Sequence, residues 1–320
     1  MRTFVLALLG FAVAAQPPLR PVHTYSIVAR DPATGALGVA VQSHWFNVGA
    51  MVPWAEAGVG AVATQSFVDP SYGRLGLDLM RAGKSAPEAL KALLAVDPER
   101  ETRQVAMVDA RGRVAVHTGG LCIAEAGSEA GEGFSCQANM MGRATVWPAM
   151  ARAYRETRGD LADRLLAALR AAEAEGGDFR GRQAAAILVV PAKSEGRPWA
   201  ERTFDLRVED HPDPVAELSR LAKLQRAYLL MNEGDGFAAA NRWKEAKDAY
   251  EAAAALAPHI PELPFWKAVG LAMAGKLDEA LPVFREVFTQ DPAWRKAVRR
   301  LAAVRMLPAD ESILKRIEAQ

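Results

Sequence analysis

The chain has 320 residues, half of them apolar and 24% charged, with 39 basic against 38 acidic side chains and a formal net charge of +1. This is the composition of a globular protein of about two domains with ample apolar mass for a core, which excludes disorder as the dominant state. Near-neutrality with no concentrated basic stretch also excludes a general nucleic-acid or anionic-membrane binder, because such affinity rests on many Lys and Arg neutralising phosphates.

Met1 to Ala15 reads MRTFVLALLGFAVAA: one Arg near the start, an apolar run from Phe4 to Ala14, and small residues in an Ala-x-Ala arrangement at Ala12 and Ala14. That is the layout of a secretory signal peptide over residues 1–15, too short to span a bilayer stably. Pro17, Pro18 and Pro21 interrupt regular structure in the linker at 16–23. No later run approaches the length of a membrane-spanning helix, so the expectation is an exported protein, periplasmic or extracellular, with no membrane span once the signal is removed.

From Thr24 onward, TYSIVARD and ALGVAVQS are alternating, β-branched runs joined by hairpin punctuation at Pro32 to Gly35. GAMVPWAEAGVGAVATQS adds two short strands around Glu56 to Gly58. The period then turns helical over Tyr72–Ala82 and over Ala86–Val96, the second after an N-cap candidate at Ser85. Strands return in QVAMVDARGRVAVHTG with a turn at Asp109 to Gly112, and two helices follow near Val146–Arg155 and Leu161–Ala174. AAAILVVP and RTFDLRVED close this first domain, 24–212, as strands. Strand blocks alternating with helix pairs predict an α+β fold in which two helical layers cover two sheets, a four-layer αββα sandwich.

The two cysteines, Cys122 and Cys136, are symmetric about residue 129, and a hairpin of that symmetry would set them opposite each other. In an oxidising compartment a disulfide across this loop of roughly 15 residues contributes on the order of 3 kcal/mol; two free thiols are the alternative. With no His nearby they make a poor metal site, and no metal or cofactor is expected.

His211-Pro-Asp-Pro214 punctuates the chain, and residues 213–320 read as helix throughout. Ala246 and Ala280, Tyr250 and Phe284, Pro258 and Pro292 recur at a spacing of 34 residues, with Glu245 and Glu279 in register. The small, aromatic and helix-ending positions of this repeat resemble tetratricopeptide units. The first unit has Gly234 and Phe237 where the second has Ala268 and Leu271. Two units are few, so Pro214–Asn232 and Arg295–Met306 are expected to cap them.

The first domain is identified, by resemblance, as a member of the bacterial family called domain of unknown function 1028, related by fold to the N-terminal nucleophile hydrolases. The matching stretches are 24–43, TYSIVARDPATGALGVAVQS; 52–73, VPWAEAGVGAVATQSFVDPSYG; 100–119, RETRQVAMVDARGRVAVHTG; and 204–218, FDLRVEDHPDPVAEL. In N-terminal nucleophile hydrolases the first residue of the mature chain attacks an amide while its own α-amine serves as base. The resemblance therefore implies Thr24 as nucleophile, once cleavage between His23 and Thr24 frees an amine of pKa near 8. Proteasome-like relatives place an Asp in the second strand and a Lys in the next. Here Gln42 or Ser43 stands in the second strand and no Lys occurs between Thr24 and Gly83.

Other polar residues are candidates for substrate or oxyanion contacts. Arg30 either orients substrate or belongs with Asp31 to a turn-end ion pair or Asx-type turn before Pro32. His44, beside Trp45 and Phe46, is a base or a structural residue. Gln65, Ser66, Asp69, Tyr72 and Gly73 form a polar knot where a helix start can receive an oxyanion, or merely cap the helix. Gln137 and Asn139 alternate on one strand face and supply amide donors, or are satisfied buried amides. The resulting expectation is an amide- or peptide-bond hydrolase taking a small amide or peptide substrate, with a helical domain that recruits a protein partner and with homo-oligomers compatible with the design. The rival expectation is a non-catalytic ligand- or protein-binding scaffold on the same fold, which the missing Lys and Asp favour.

Overall fold

The computed structural model describes residues 24–198 and 200–320. The expected signal peptide and linker, 1–23, lie outside the described residues. The described chain is mixed α+β, with two antiparallel sheets and a C-terminal helical region.

Strands β1 (Thr24–Arg30), β2 (Leu37–Ser43), β3 (Pro53–Glu56) and β4 (Gly60–Ser66) come first. Helices α1 (Ser71–Arg81) and α2 (Ala86–Val96) follow, then β5 (Arg103–Asp109), β6 (Val114–Thr118), β7 (Gly127–Gly131) and β8 (Phe134–Ala138). Helices α3 (Val146–Glu156) and α4 (Leu161–Ala174) precede β9 (Ala184–Val190) and β10 (Phe204–Val208). The sequence places most of these elements within a residue or two because their punctuation is local; the strand β7 lies in what reads as a Gly- and Glu-rich loop. Ser85, for instance, closes a capping box at the start of α2: its hydroxyl accepts from Glu88 N at 3.3 Å while the Glu88 carboxylate accepts from Ser85 N at 2.7 Å.

One sheet has six strands in the order β10-β9-β2-β1-β8-β7, and the other has four in the order β3-β4-β5-β6. Along β1 the side chains divide. Tyr25, Ile27 and Ala29 join Leu165, Leu169 and Met150 in a core beneath α3 and α4, while Val28 joins Val39, Ala63 and Ala106 in a core between the sheets. A third core sets Leu77, Met80 and Leu90 of α1 and α2 on Val62, Val105 and Met107. Central strands are thus covered on both faces, which is why β2, β4 and β9 are buried throughout and why β9, AAAILVV, is apolar along its whole length. The edge strand β10 instead alternates, with Phe204 and Val208 buried and Asp205 and Arg207 exposed.

The cysteines do not pair. The β7–β8 turn falls at Glu132 and Gly133, so the register sets Glu129, not Cys122, opposite Cys136. Cys122 precedes β7 and its thiol donates to Arg103 O at 3.3 Å; both thiols are free, and the bridge expected from symmetry is absent. Symmetry about residue 129 misplaces the turn, which Gly133, at φ 72°, decides.

The C-terminal region contains α5 (Pro214–Ala239), α6 (Trp243–Leu256), α7 (Glu262–Met273), α8 (Leu277–Gln290), α9 (Arg295–Ala303) and α10 (Glu311–Glu318). The repeat spacing reappears in the helix ends: α6 and α8 start at 243 and 277 and end at 256 and 290, and α5 and α7 end at 239 and 273. Tyr250 of α6 wedges between α5 and α7 where glycines admit it; a Cβ on Gly234 would lie 2.6 Å from the ring. The expected capping helix 214–232 is not separate. It is the first part of one 26-residue helix, α5, whose Val215, Leu218 and Ala222 join the core beneath the six-stranded sheet and whose Ala227 and Met231 join a core with Tyr250 and Ala253.

Stability should report this hierarchy. In urea unfolding, Leu165→Ala, which empties a fully buried position, is expected to cost about 2–5 kcal/mol. Ser85→Ala, which removes only the cap, is expected to cost about 0.5–2 kcal/mol. Equal losses would contradict the assignment of Leu165 to the main core.

Candidate functional site

Antiparallel pairing brings the starts of β1 and β5 to the same end as the finishes of β2, β4 and β8. Each carries polar residues there: Thr24 and Ser26, Gln104, Gln42 and Ser43, Gln65 and Ser66, and Gln137 followed by Asn139. Most of these point between the two sheets, where Thr24, Ser26, Ser43, Gln65, Gln104, Gln137 and Asn139 are all fully buried. A buried amide without a partner costs about 1–3 kcal/mol, so these groups have to satisfy one another.

They do so as one network. Gln137 Nε2 donates to Ser26 Oγ at 2.6 Å, and Ser26 Oγ donates to Gln65 Oε1 at 2.6 Å. Gln65 Nε2 donates to Gln104 Oε1 at 2.7 Å and to Thr24 O at 3.2 Å. Asn139 Nδ2 donates to the same Gln104 Oε1 at 2.9 Å, and Asn139 N to Thr24 O at 3.0 Å. Gln104 Nε2 in turn reaches Thr118 Oγ1 and Ala138 O, both at 2.9 Å. Thr24 Oγ1 donates to Ser43 Oγ, its register partner, at 3.2 Å. Every member is a hydroxyl or a neutral amide. The network holds the Thr24 carbonyl from β4 of the other sheet and from the residue that follows β8, and its hydroxyl meets a second hydroxyl.

Some polar atoms at this end have no hydrogen-bond partner among the described residues: Asn139 Oδ1, both amide atoms of Gln42, and His44 Nδ1. Ser66 adopts a left-handed backbone, φ 69°, unusual for a residue with a Cβ. Gln42 pairs with Tyr25 in register and shares its helix-facing side. There the Tyr25 hydroxyl bonds Glu173, which also pairs with Arg182. Burial, reinforced by Glu173, keeps the Tyr25 phenol protonated well above the usual range.

The remaining sequence candidates separate from Thr24 or join it as follows. Gln65, Gln137 and Asn139 are in the network, although the amide donors of Gln65 and Asn139 are spent on Thr24 O and Gln104. His44 follows β2 at the same end, and its backbone N donates to Asp178 Oδ2 at 3.2 Å. Arg30 sits at the opposite end of β1, about 20 Å away by strand rise, and its Nε donates to Ala110 O at 2.8 Å. Asp31 Oδ1 accepts from Ala33 N at 3.3 Å, so the Asx-type turn is what forms there, and its ion pair is with Arg164, not Arg30. Asp69 Oδ1 accepts from Ser71 N at 2.9 Å and marks the start of α1. The Tyr72 hydroxyl donates to Asp97 Oδ2 at 2.9 Å, beside the Asp97–Arg103 ion pair. Asp69 and Tyr72 therefore build a helix junction, where a Cβ on Gly73 would strike Trp54 at 2.3 Å. Burial raises the thiol pKa of both Cys122 and Cys136, leaving neither a thiolate at neutral pH. Among the described residues no group of His, Cys, Asp and Glu could hold a metal ion, and no helix is long and apolar enough to cross a membrane.

Gln104, Ser26 and Ser43 are site residues that reading motif by motif overlooks. Their signal is collective: a polar residue recurs at alternating ends of consecutive apolar strands, and antiparallel pairing makes those ends one place.

The sequence profile of a family of unknown function, DUF1028, matches residues 24–218. The chain belongs to this family. The crystal structure of a DUF1028 protein from Silicibacter pomeroyi is 31% identical, with a TM-score of 0.56 over 62% of this chain and 87% of that one. Anbu, the ancestral beta-subunit, from Yersinia bercovieri aligns at 11% identity with a TM-score of 0.31, over 61% of this chain and 91% of that one. No curated protein matches the sequence. The DUF1028 match begins at Thr24, the first residue of β1, and ends within α5 at Leu218.

The network makes Gln104 its junction. Gln104→Leu fills the volume but strands the amides of Gln65 and Asn139, and is expected to cost about 1–3 kcal/mol per stranded donor in urea unfolding. An unchanged midpoint would show that these bonds do not hold the two sheets together.

Proposed function

We propose that this DUF1028 protein is an exported amide- or peptide-bond hydrolase of the N-terminal nucleophile type. Its residues 24–212 would form the four-layer αββα domain, and 213–320 a tetratricopeptide-like domain that recruits a protein partner. The observation carrying this reading is the placement of Thr24. It opens β1 at the first residue of the family match, its backbone is held by Gln65 and Asn139, and its hydroxyl meets Ser43. Asn139 Oδ1, buried without a hydrogen-bond partner among the described residues at the same end, is a polar atom this arrangement leaves for a ligand.

The chemistry needs the bond between His23 and Thr24 cut, which removes residues 1–23 and frees the α-amine. Thr24 Oγ then attacks the amide carbonyl carbon, and its proton passes to the α-amine, directly or through water. Return of that proton to the leaving nitrogen breaks the C–N bond and leaves an acyl ester on Thr24. Water hydrolyses the ester and restores the hydroxyl. No cofactor takes part. For Gln65 or Asn139 to donate to the oxyanion, its amide would have to turn from Gln104 or Thr24 O.

A second reading, a non-catalytic binding scaffold, is favoured by one observation: the amide donors of Gln65 and Asn139 are already spent on Gln104 and Thr24 O, as structural bonds would be.

Intact mass and N-terminal sequencing of protein exported by its own signal separate the two. The hydrolase reading expects a chain beginning at Thr24 and turnover in a screen of amide substrates. Thr24→Ala should lower that turnover by at least about a thousandfold, with Thr24→Ser less affected. The rate should rise with pH as the amine loses its proton near pH 8 and then level off. Full turnover in Thr24→Ala would end the nucleophile assignment, and a mature chain beginning at Ala15 or Gln16 would favour the scaffold.

A further inference from the structure

The helical region holds a groove of about 850 Å³ between α5, α6 and α7, reaching the α9–α10 connection. We infer that it binds a peptide segment of a partner protein that presents a Lys or Arg side chain flanked by apolar residues. The inference rests on the partner-recruiting reading of this region and names the chemistry of the partner.

Two carboxylates face the groove among aromatic rings. Tyr250 Oη donates to Asp235 Oδ1 at 2.7 Å, and Tyr228 Oη donates to Glu262 Oε2 at 2.8 Å. Trp266 Nε1 donates to Glu262 Oε1 at 3.4 Å, and Trp243 completes the aromatic lining. These donors are neutral. They orient the carboxylates without cancelling their charge, and neither carboxylate forms an ion pair among the described residues. Most other acids of the helical region do have a basic partner: Glu245 has Arg242, Glu251 has Lys267, and Asp278 has Arg316. Arg305, the basic residue of the lining, lies beside Met306 and reaches neither Asp235 nor Glu262.

Carboxylates held beside aromatic rings are complementary to an organic cation, and most strongly so to a guanidinium or ammonium that sheds part of its water there. The surroundings select a peptide over a small free cation. Met231, Met273 and Met306 extend the lining beyond the aromatic rings, and Met273 and Met306 are about half exposed, 48% and 47%. Flexible thioethers suit apolar side chains of varied shape on either side of one charged anchor.

The test selects a random dodecapeptide display library on the immobilised full-length protein and measures enriched peptides by fluorescence anisotropy. The expected consensus has Lys or Arg between apolar residues. Its affinity should fall at least tenfold in Asp235→Asn/Glu262→Gln and weaken as salt rises, while the thermal midpoint of the variant stays that of the parent. Met273→Glu, at the exposed rim, should weaken binding through the apolar flank without touching the carboxylates. A neutral or acidic consensus that still loses binding in Trp266→Ala would overturn the cationic inference and leave partner recruitment standing. Choline or arginine amide binding as tightly as the peptides would overturn the choice of a peptide. If no sequence is enriched, the inference and the partner-recruiting reading both fall.

Discussion

A polar side chain trapped between two packed sheets has no bulk water to turn to, and this constraint organises the end of the fold that carries Thr24. Five strands deliver amides and hydroxyls into that space, and each completes a neighbour's hydrogen bonding. Gln104 is central because its carbonyl accepts from both Gln65 and Asn139 while its amide reaches Thr118 and Ala138 O. Thr24 is consequently held through its own carbonyl as well as its hydroxyl. A residue fixed in this way needs little reorganisation to act, which is the condition a positioned nucleophile or ligand contact has to meet.

The apolar frame sets the limits of that site. Val28, Val39, Ala63 and Ala106 close the space between the sheets below the polar residues, so the network is confined to one end. The outer face of the six-stranded sheet is sealed by α3, α4 and the first part of α5. Because α5 continues without interruption into the core around Tyr250, the helical region is joined to the sheets by a shared helix rather than by a loose connection. Arg226 strengthens the junction by pairing with Asp160 and Asp163 across α5 and α4.

The two ends of the molecule use polar groups in opposite ways. Around Thr24 the amides and hydroxyls of Gln65, Gln104, Gln137, Asn139 and Ser26 are buried and largely satisfied by each other. In the helical groove the carboxylates of Asp235 and Glu262 accept from Tyr and Trp donors, form no ion pair among the described residues and line an open groove. The first arrangement favours positioning, and the second favours capture of a charge.

Much of this was readable from local sequence. Most strand and helix boundaries, the Ser85 cap and the repeat spacing follow from punctuation, alternation and periodicity, which act over a few residues; β7 and the full length of α5 do not. Recognition of the family likewise drew on contiguous stretches such as TYSIVARDPATGALGVAVQS. Which candidates meet is a different matter. Arg30 and Thr24 belong to one strand yet lie at opposite ends of it, whereas Gln104 and Asn139 are far apart in sequence and share a hydrogen bond. The cysteine pairing failed for the same reason: a turn shifted by a few residues changes every cross-strand neighbour. The sequence by itself determined the elements, their order and the polar marks at the strand ends. Only the tertiary structure decided which marks become one network, because sheet register and the burial between layers are set by packing over the whole domain.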